Sequence, residues 1–409
     1  MYNQIIEKLE NDNLKPFDID HLSADQSGIF ADLQGYISEG LKTPGHHVAV
    51  IEGAAGTGKS VLLTKLFKNI RRGMKDPDSP YQGLKTVFTV NHPELLKVYQ
   101  EMGARYRDLY KKDYVRPTSL INSALKTDSH YDVVLIDEGH LLLSKREPYI
   151  RFFQDNQLTE IIKLAKVVVV VFDFQQVIQG KMFWNEKLLN QVLTPYDHRI
   201  FPMNFQYRME ANASVSTWID NFVTGKLSPL PADQGDYDLG IFERADALFE
   251  TIKARNQQGG LARVLATTGF QRRADGAHHV VLDGFDLPWD EFDAQVKTWP
   301  NRPESINQVG SIYTVQGFDL NYAGVLLSPA FEYDVKTDRM IVNPTKVTHK
   351  EIYKKNPNLT DADAIAQAKT DFMYNALNIL AKRGKKGLYL KAADPDLNNR
   401  LLELQAQAK

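Results

Sequence analysis

The sequence predicts an α/β chain with two mainly parallel, doubly wound sheets, one in each half. Three observations carry this. Short β-branched runs alternate with helix-patterned segments in both halves. The runs of the first half are apolar throughout, as strands buried on both faces are. The chain has 409 residues, more than one hydrophobic core ordinarily serves. The expected division is 1–199 and 200–409.

In the first half the strands fall at Val48–Ile51, Thr86–Val90, Val133–Ile136 and Val167–Phe172, with a helix over Val61–Phe67. A crossover is expected between Thr194 and Phe205, where Pro195 and Pro202 interrupt regular structure. In the second half Ala262–Ala266, Ser311–Tyr313, Tyr322–Leu327 and Gly387–Leu390 are the expected strands. Asp233–Tyr237 and the polar stretch Asp275–Pro303 read as loops. A helix begins at Thr360, which with Asp363 resembles a capping box. It runs to Arg383 and stops at Gly384 as a left-handed terminator.

Composition narrows the function classes. Apolar content of 43% and charged content of 24% are ordinary globular values. A net charge of −2 gives no global attraction for polyanions, so any nucleic acid must be held by a local basic face. The absence of cysteine excludes disulfides and thiolate metal sites, which suits a cytoplasmic protein. Met1–Asp20 is mixed and charged, unlike a signal peptide, and the apolar run Val167–Phe172 is far too short to cross a membrane.

The strongest local signal is Gly53-Ala54-Ala55-Gly56-Thr57-Gly58-Lys59-Ser60, which fits G-x-x-x-x-G-K-[ST] between a strand and a helix. Its glycines let backbone N–H groups close around phosphate oxygens, and the helix N-terminus adds partial positive charge. Lys59 can reach the β and γ phosphates of ATP, and the Ser60 hydroxyl can ligate Mg²⁺. A plain Gly-rich turn would not explain Lys59 and Ser60.

The second signal is the buried strand that ends in Asp137-Glu138-Gly139-His140. Asp137 can hold the Mg²⁺ shell, and Glu138 can accept a proton from attacking water. An ordinary Asp-Glu turn is the plainer alternative. His140 either couples to the second half or caps the next helix. Gln176, in Asp173-Phe174-Gln175-Gln176, can sense the γ-phosphate at the end of the next strand.

These pieces stand in the order used by superfamily-one helicases. Phe172-Asp173-Phe174-Gln175-Gln176 resembles the third motif of that group, and Gln206-Tyr207-Arg208 the fourth. Gln316-Gly317-Phe318-Asp319 resembles the fifth, Arg383 at a helix end the sixth, and Leu22–Gln26 the adenine-reading glutamine segment. From about Leu22 to Asp396 the chain resembles the bacterial Schlafen-group-three-like helicase/ATPase family. That resemblance implies two RecA-like domains with the ATP site in the cleft between them. It implies that Gln26 reads adenine, that Gln316, Gly317 and Asp319 contact nucleotide, and that Arg208 and Arg383 reach the γ-phosphate. Such arginines can supply roughly 10³–10⁵ in rate. Three positions depart from the pattern: Phe172 replaces a glycine, Asp319 a glutamate, and Lys382 the threonine before Arg383.

The resemblance also implies a single-stranded DNA or RNA partner. The best local candidate is 103–116, where Tyr106, Tyr110 and Tyr114 would share a helix face beside Arg107 and Lys111. An amphipathic helix packed on the sheet fits the same pattern. Little room remains for a strand-splitting insertion, so translocation or remodelling is favoured over processive unwinding. An ATP-dependent switch acting on a protein partner, such as a nuclease, stays open. A small-molecule phosphotransferase would not need Gln206–Arg208 or Gln316–Gly317.

Overall fold

The structure, a computed structural model, describes residues 21–54, 56–103, 106–203, 209–291, 298–315, 318–348, 350–353 and 355–408. The chain folds as two compact units. One holds the described residues up to Met203 together with 355–360; the other holds those of 209–353 and 361–408.

In the first unit helix α1 (Ala24–Gly40) precedes strand β1 (His47–Gly53), which leads through the glycine-rich loop into α2 (Lys59–Gly73). Then follow β2 (Thr86–Val90), α3 (Pro93–Gly103), β3 (Tyr114–Val115), α4 (Pro117–Thr127) and β4 (Tyr131–Asp137). The unit continues with α5 (Gln157–Leu164), β5 (Ala165–Phe172), α6 (Glu186–Leu193) and β6 (Asp197–Met203). The six strands are parallel, in the order β3-β2-β4-β5-β1-β6.

β5 shows why an unbroken valine run makes a central strand. Val167, Val169 and Val171 enter one core with α1, α2 and α3, while Val168 and Val170 are buried on the opposite face. The segment expected to be an irregular crossover is mostly β6, which pairs with β1 from Asp197 to Met203 and so extends past position 199. Pro202 is tolerated because β6 is an edge strand.

The second unit contains α7 (Ala213–Phe222), β7 (Asp238–Ile241), α8 (Ala245–Gly259) and β8 (Ala262–Ala266). A hairpin of β9 (His279–Leu282) and β10 (Phe285–Pro288) follows, then β11 (Val309–Gly310), a single turn α9 (Ile312–Val315) and β12 (Leu320–Leu327). A second hairpin, β13 (Phe331–Asp334) and β14 (Arg339–Val342), precedes α10 (Ala362–Ala381), β15 (Gly384–Ala392) and α11 (Pro395–Gln407). Its main sheet has five parallel strands in the order β11-β8-β12-β15-β7. The two sheets are the pair of mainly parallel layers the sequence predicts.

Four local expectations fail. Ser311–Tyr313 is not a strand. The Ser311 Oγ accepts from Tyr313 N at 3.0 Å and its own N donates to Thr314 Oγ1 at 2.8 Å, which starts a helical turn instead. The stretch Asp275–Pro303 is not all loop, because it holds the β9–β10 hairpin. Helix α10 is capped by Asp361, whose carboxylate accepts from Ala364 N at 2.9 Å, rather than by Thr360, and α11 follows it. Gly384 does not end that helix in a left-handed conformation. It opens β15, where Leu320 pairs with Gly384 but Tyr322 pairs with Gly387, a bulge in the β12–β15 ladder. A Cβ at Gly384 would lie 2.0 Å from the Gly387 carbonyl oxygen. Gly384→Ala is therefore expected to destabilise the second unit by about 1–3 kcal/mol. A denaturation midpoint equal to wild type would refute that.

Candidate nucleotide and metal site

The phosphate loop is shaped by two left-handed glycines, Gly56 (φ 88°) and Gly58 (φ 82°), positions where a side chain would be strained. Gly58 caps α2, so the first N–H groups of that helix, which have no intrahelical partner, lie at the loop. Lys59 is nearly buried. Its Nζ donates to the carbonyls of Gly53 (2.5 Å) and Ala54 (2.6 Å) and lies 3.6 Å from the Asp173 carboxylate. Thr57 Oγ1 donates back to Ala54 O at 3.0 Å. Ala55 lies outside the described residues.

The strand order decides what meets this loop. β5 stands between β1 and β4, yet the Ser60 hydroxyl is near enough to Asp137 at the end of β4 to pull its carboxyl down. Asp137 is fully buried and also accepts from the Tyr99 hydroxyl and from Glu138 N (3.0 Å). Burial, and secondarily the Glu138 charge, push the Asp137 carboxyl up to about 6, against the pull of those hydrogen bonds. The Tyr99 phenol is raised well above its ordinary value, first by burial and then by Asp137. A hydroxyl and a carboxylate near each other beside a phosphate loop are the hard oxygen donors that Mg²⁺ takes, so Ser60 and Asp137 fit that ion.

Glu138 sits in the left-handed region (φ 51°, ψ 50°), an uncommon place for a side-chain-bearing residue. Its Oε2 is 3.0 Å from His140 Nε2, and His140 is fully buried. This gives His140 a role in holding Glu138. On the neighbouring strand end Asp173 accepts from Gln175 N (3.0 Å) and Gln176 Nε2 (2.7 Å). The other end of the Gln176 amide, Oε1, is buried and has no partner among the described residues.

The remaining expected residues divide. Gln26 is at the N-terminus of α1, where its Oε1 accepts from Ser23 N (3.0 Å) and its own N donates to Ser23 Oγ (3.2 Å), a reciprocal cap. In the second unit Arg383 is buried. Its Nε donates to Ile379 O and a terminal nitrogen to Phe318 O, both at 3.1 Å, so it lies against the segment expected to be the fifth motif. Asp319 is 3.6 Å from Lys385, and Lys382 pairs with Asp220 at 2.7 Å. Arg208, with Gln206 and Tyr207, and Gln316 with Gly317 lie outside the described residues.

The expected tyrosine helix over 103–116 is not formed. α3 ends at Gly103, Asp113 accepts from Tyr110 N at 3.0 Å to close a short turn, and Tyr114 is a buried β3 residue stacked on Tyr99 at 5.8 Å. Sequence reasoning missed two contributors. Tyr99 has no motif around it, and only the packing of α3 brings it to Asp137. Asn356, far along the chain, donates to Ser144 Oγ (3.0 Å) and Gly180 O (2.6 Å), and Asn358 donates to Ser144 O (3.1 Å). Residues 355–360 thus tie together the segments that follow Glu138 and Gln176.

Phosphate loop, neighbouring oxygen donors and adjacent carboxylate on one parallel sheet define a P-loop fold. Residues 46–394 match the family described as Schlafen group 3, DNA/RNA helicase domain. The chain belongs to that family. It is 34% identical over 413 residues to the uncharacterized Saccharomyces cerevisiae protein YPL245W, covering 93% of this chain and 90% of that protein. Among solved structures, the Pif1 helicase from Candida albicans is 12% identical, with a TM-score of 0.37, covering 94% of this chain and 100% of that one. AMPPCP-bound DnaA from Aquifex aeolicus is 14% identical, with a TM-score of 0.26, covering 47% and 51%. Among the described residues no helix is long and apolar enough to cross a membrane.

Proposed function

We propose that this chain is an ATP-hydrolysing motor core that acts on single-stranded DNA or RNA. The observation that carries the reading is the nearness of the Ser60 hydroxyl to Asp137 beside the phosphate loop, with Glu138 next in sequence. Lys59 and the loop N–H groups hold the ATP phosphates. Ser60 and Asp137 would hold Mg²⁺, which when bound neutralises charge developing on the phosphoryl oxygens. Glu138, kept in place by His140, takes the proton of the attacking water, and Gln176 orients that water through the free end of its amide. Gln26 reads the adenine edge. On the second unit Arg208 and Arg383 serve as γ-phosphate cations, and Gln316, Gly317 and Asp319 as further nucleotide contacts. Family membership supports the nucleic-acid partner.

ATP turnover is to be measured alone, with single-stranded DNA, with single-stranded RNA and with duplexes. The expected result is stimulation by at least one single strand. Stimulation by none of them would overturn the motor reading. Stimulation only by a co-purifying protein would replace it with a partner-controlled switch.

A further inference from the structure

The far end of α2 carries a surface that the phosphate site does not use. Lys68, Arg71 and Arg72 recur at helical spacing on one face, and Lys75 follows the cap. The loop between α3 and β3 lies against them. Lys68 Nζ sits 4.3 Å from the centre of the Tyr106 ring. Around the Tyr110 ring stand Arg71 at 5.5 Å, Lys75 at 5.9 Å and Lys112 at 5.9 Å. Tyr110 is 43% exposed, and Arg72, Lys75, Lys111 and Lys112 are exposed with it.

The groups differ in how firmly they are held. Arg71 is fixed by Asp113 at 3.1 Å and by the Asp108 carbonyl at 3.3 Å. Lys75 pairs with Asp108 at 2.9 Å in the open. Exposed pairs of that kind contribute little, so Lys75 can exchange its carboxylate for a phosphate at small cost. Across 68–78 and 106–113 seven lysines and arginines stand against four carboxylates, Asp76, Asp78, Asp108 and Asp113, in a chain whose formal net charge is −2. Arg72 also lines an open polar pocket with Gln34, Asn69 and Ser79, whose amides and hydroxyl can meet base edges or phosphate oxygens.

We infer that this surface, centred on Tyr110, is a second contact for a single nucleic-acid strand, remote from the phosphate loop. An exposed aromatic face ringed by cations is the combination that stacks a base while pairing its phosphates. An acidic peptide would use the cations and leave the ring idle. From Lys59 to Arg71 the helix rises about 18 Å, so a strand bound here is out of reach of the nucleotide and adds affinity, not chemistry. The inference rests on the proposed nucleic-acid partner.

Binding of a labelled oligothymidylate by the full chain is to be followed by anisotropy across a salt series. Tyr110→Ala should weaken it about 5- to 100-fold, with an unaltered melting curve. Lys112→Ala should weaken it and flatten the salt slope by about 0.7. Tyr110→Trp should restore affinity and add a fluorescence quench on binding that wild type lacks. If wild type binds while Tyr110→Ala binds as well with the same slope, this surface is not the contact and the motor reading stands. If wild type binds no oligonucleotide, the motor reading itself fails. Polyglutamate competing as strongly as the oligonucleotide, with no quench in Tyr110→Trp, would make the surface a general anion patch and overturn the inference.

Discussion

Glu138→Gln is expected to bind ATP at near wild-type affinity and to turn it over about 10²–10⁴-fold more slowly, the contribution of a positioned general base. The substitution preserves shape. Glutamine at φ 51° meets the same backbone cost as glutamate, and its amide still has a hydrogen-bonding atom for the His140 ring 3.0 Å away. What is lost is the proton acceptor. The change also removes the neighbouring charge that helps to raise Asp137, so the carboxylate beside Ser60 is easier to ionise, not harder. Metal and nucleotide binding should therefore survive. Titration with a fluorescent nucleotide, paired with turnover measurements, separates the two effects. A wild-type turnover rate would remove Glu138 from the chemistry.

The loop and the Glu138 strand were legible because each is written in consecutive residues. Gly53–Ser60 carries its own geometry, and an unbroken run such as Val167–Phe172 admits few readings other than a strand buried on both sides. The approach of Ser60 to Asp137 was legible only as chemistry. Its geometry depends on β5 lying between β1 and β4, and no local pattern states a strand order. Tyr99 was invisible for the same reason. The tyrosines at 106, 110 and 114 misled because a spacing of four is helical, while Asp113 offers the chain a competing local cap at Tyr110 N. The β9–β10 hairpin did leave a signal. Asp283-Gly284, between Val280-Val281-Leu282 and Phe285, is a two-residue turn with positive φ at both positions (49° and 81°), the Asp-Gly hairpin signature.

Lys59→Ala should have the larger effect on binding, because a single Nζ serves three groups. It bridges the carbonyls of Gly53 and Ala54, and it lies 3.6 Å from the Asp173 carboxylate in a nearly closed environment. When a nucleotide occupies the loop, the same ammonium would turn from those carbonyls to the phosphates. Removing one partner of a desolvated charge pair costs about 2–5 kcal/mol, which corresponds to a loss in ATP affinity of about 30- to several-thousand-fold. The fold should tolerate it better. Asp173 keeps its bonds from Gln175 N and the Gln176 amide, so its buried charge is not stranded. Loop and helix remain joined by the backbone bond from Leu62 N to Gly58 O at 3.0 Å. Calorimetric ATP titration together with thermal melting decides the matter. Retained affinity would mean that the helix N-terminus and loop amides hold the phosphates without Lys59. A melt collapsed by tens of degrees would mean that the lysine is first a structural strut of the loop.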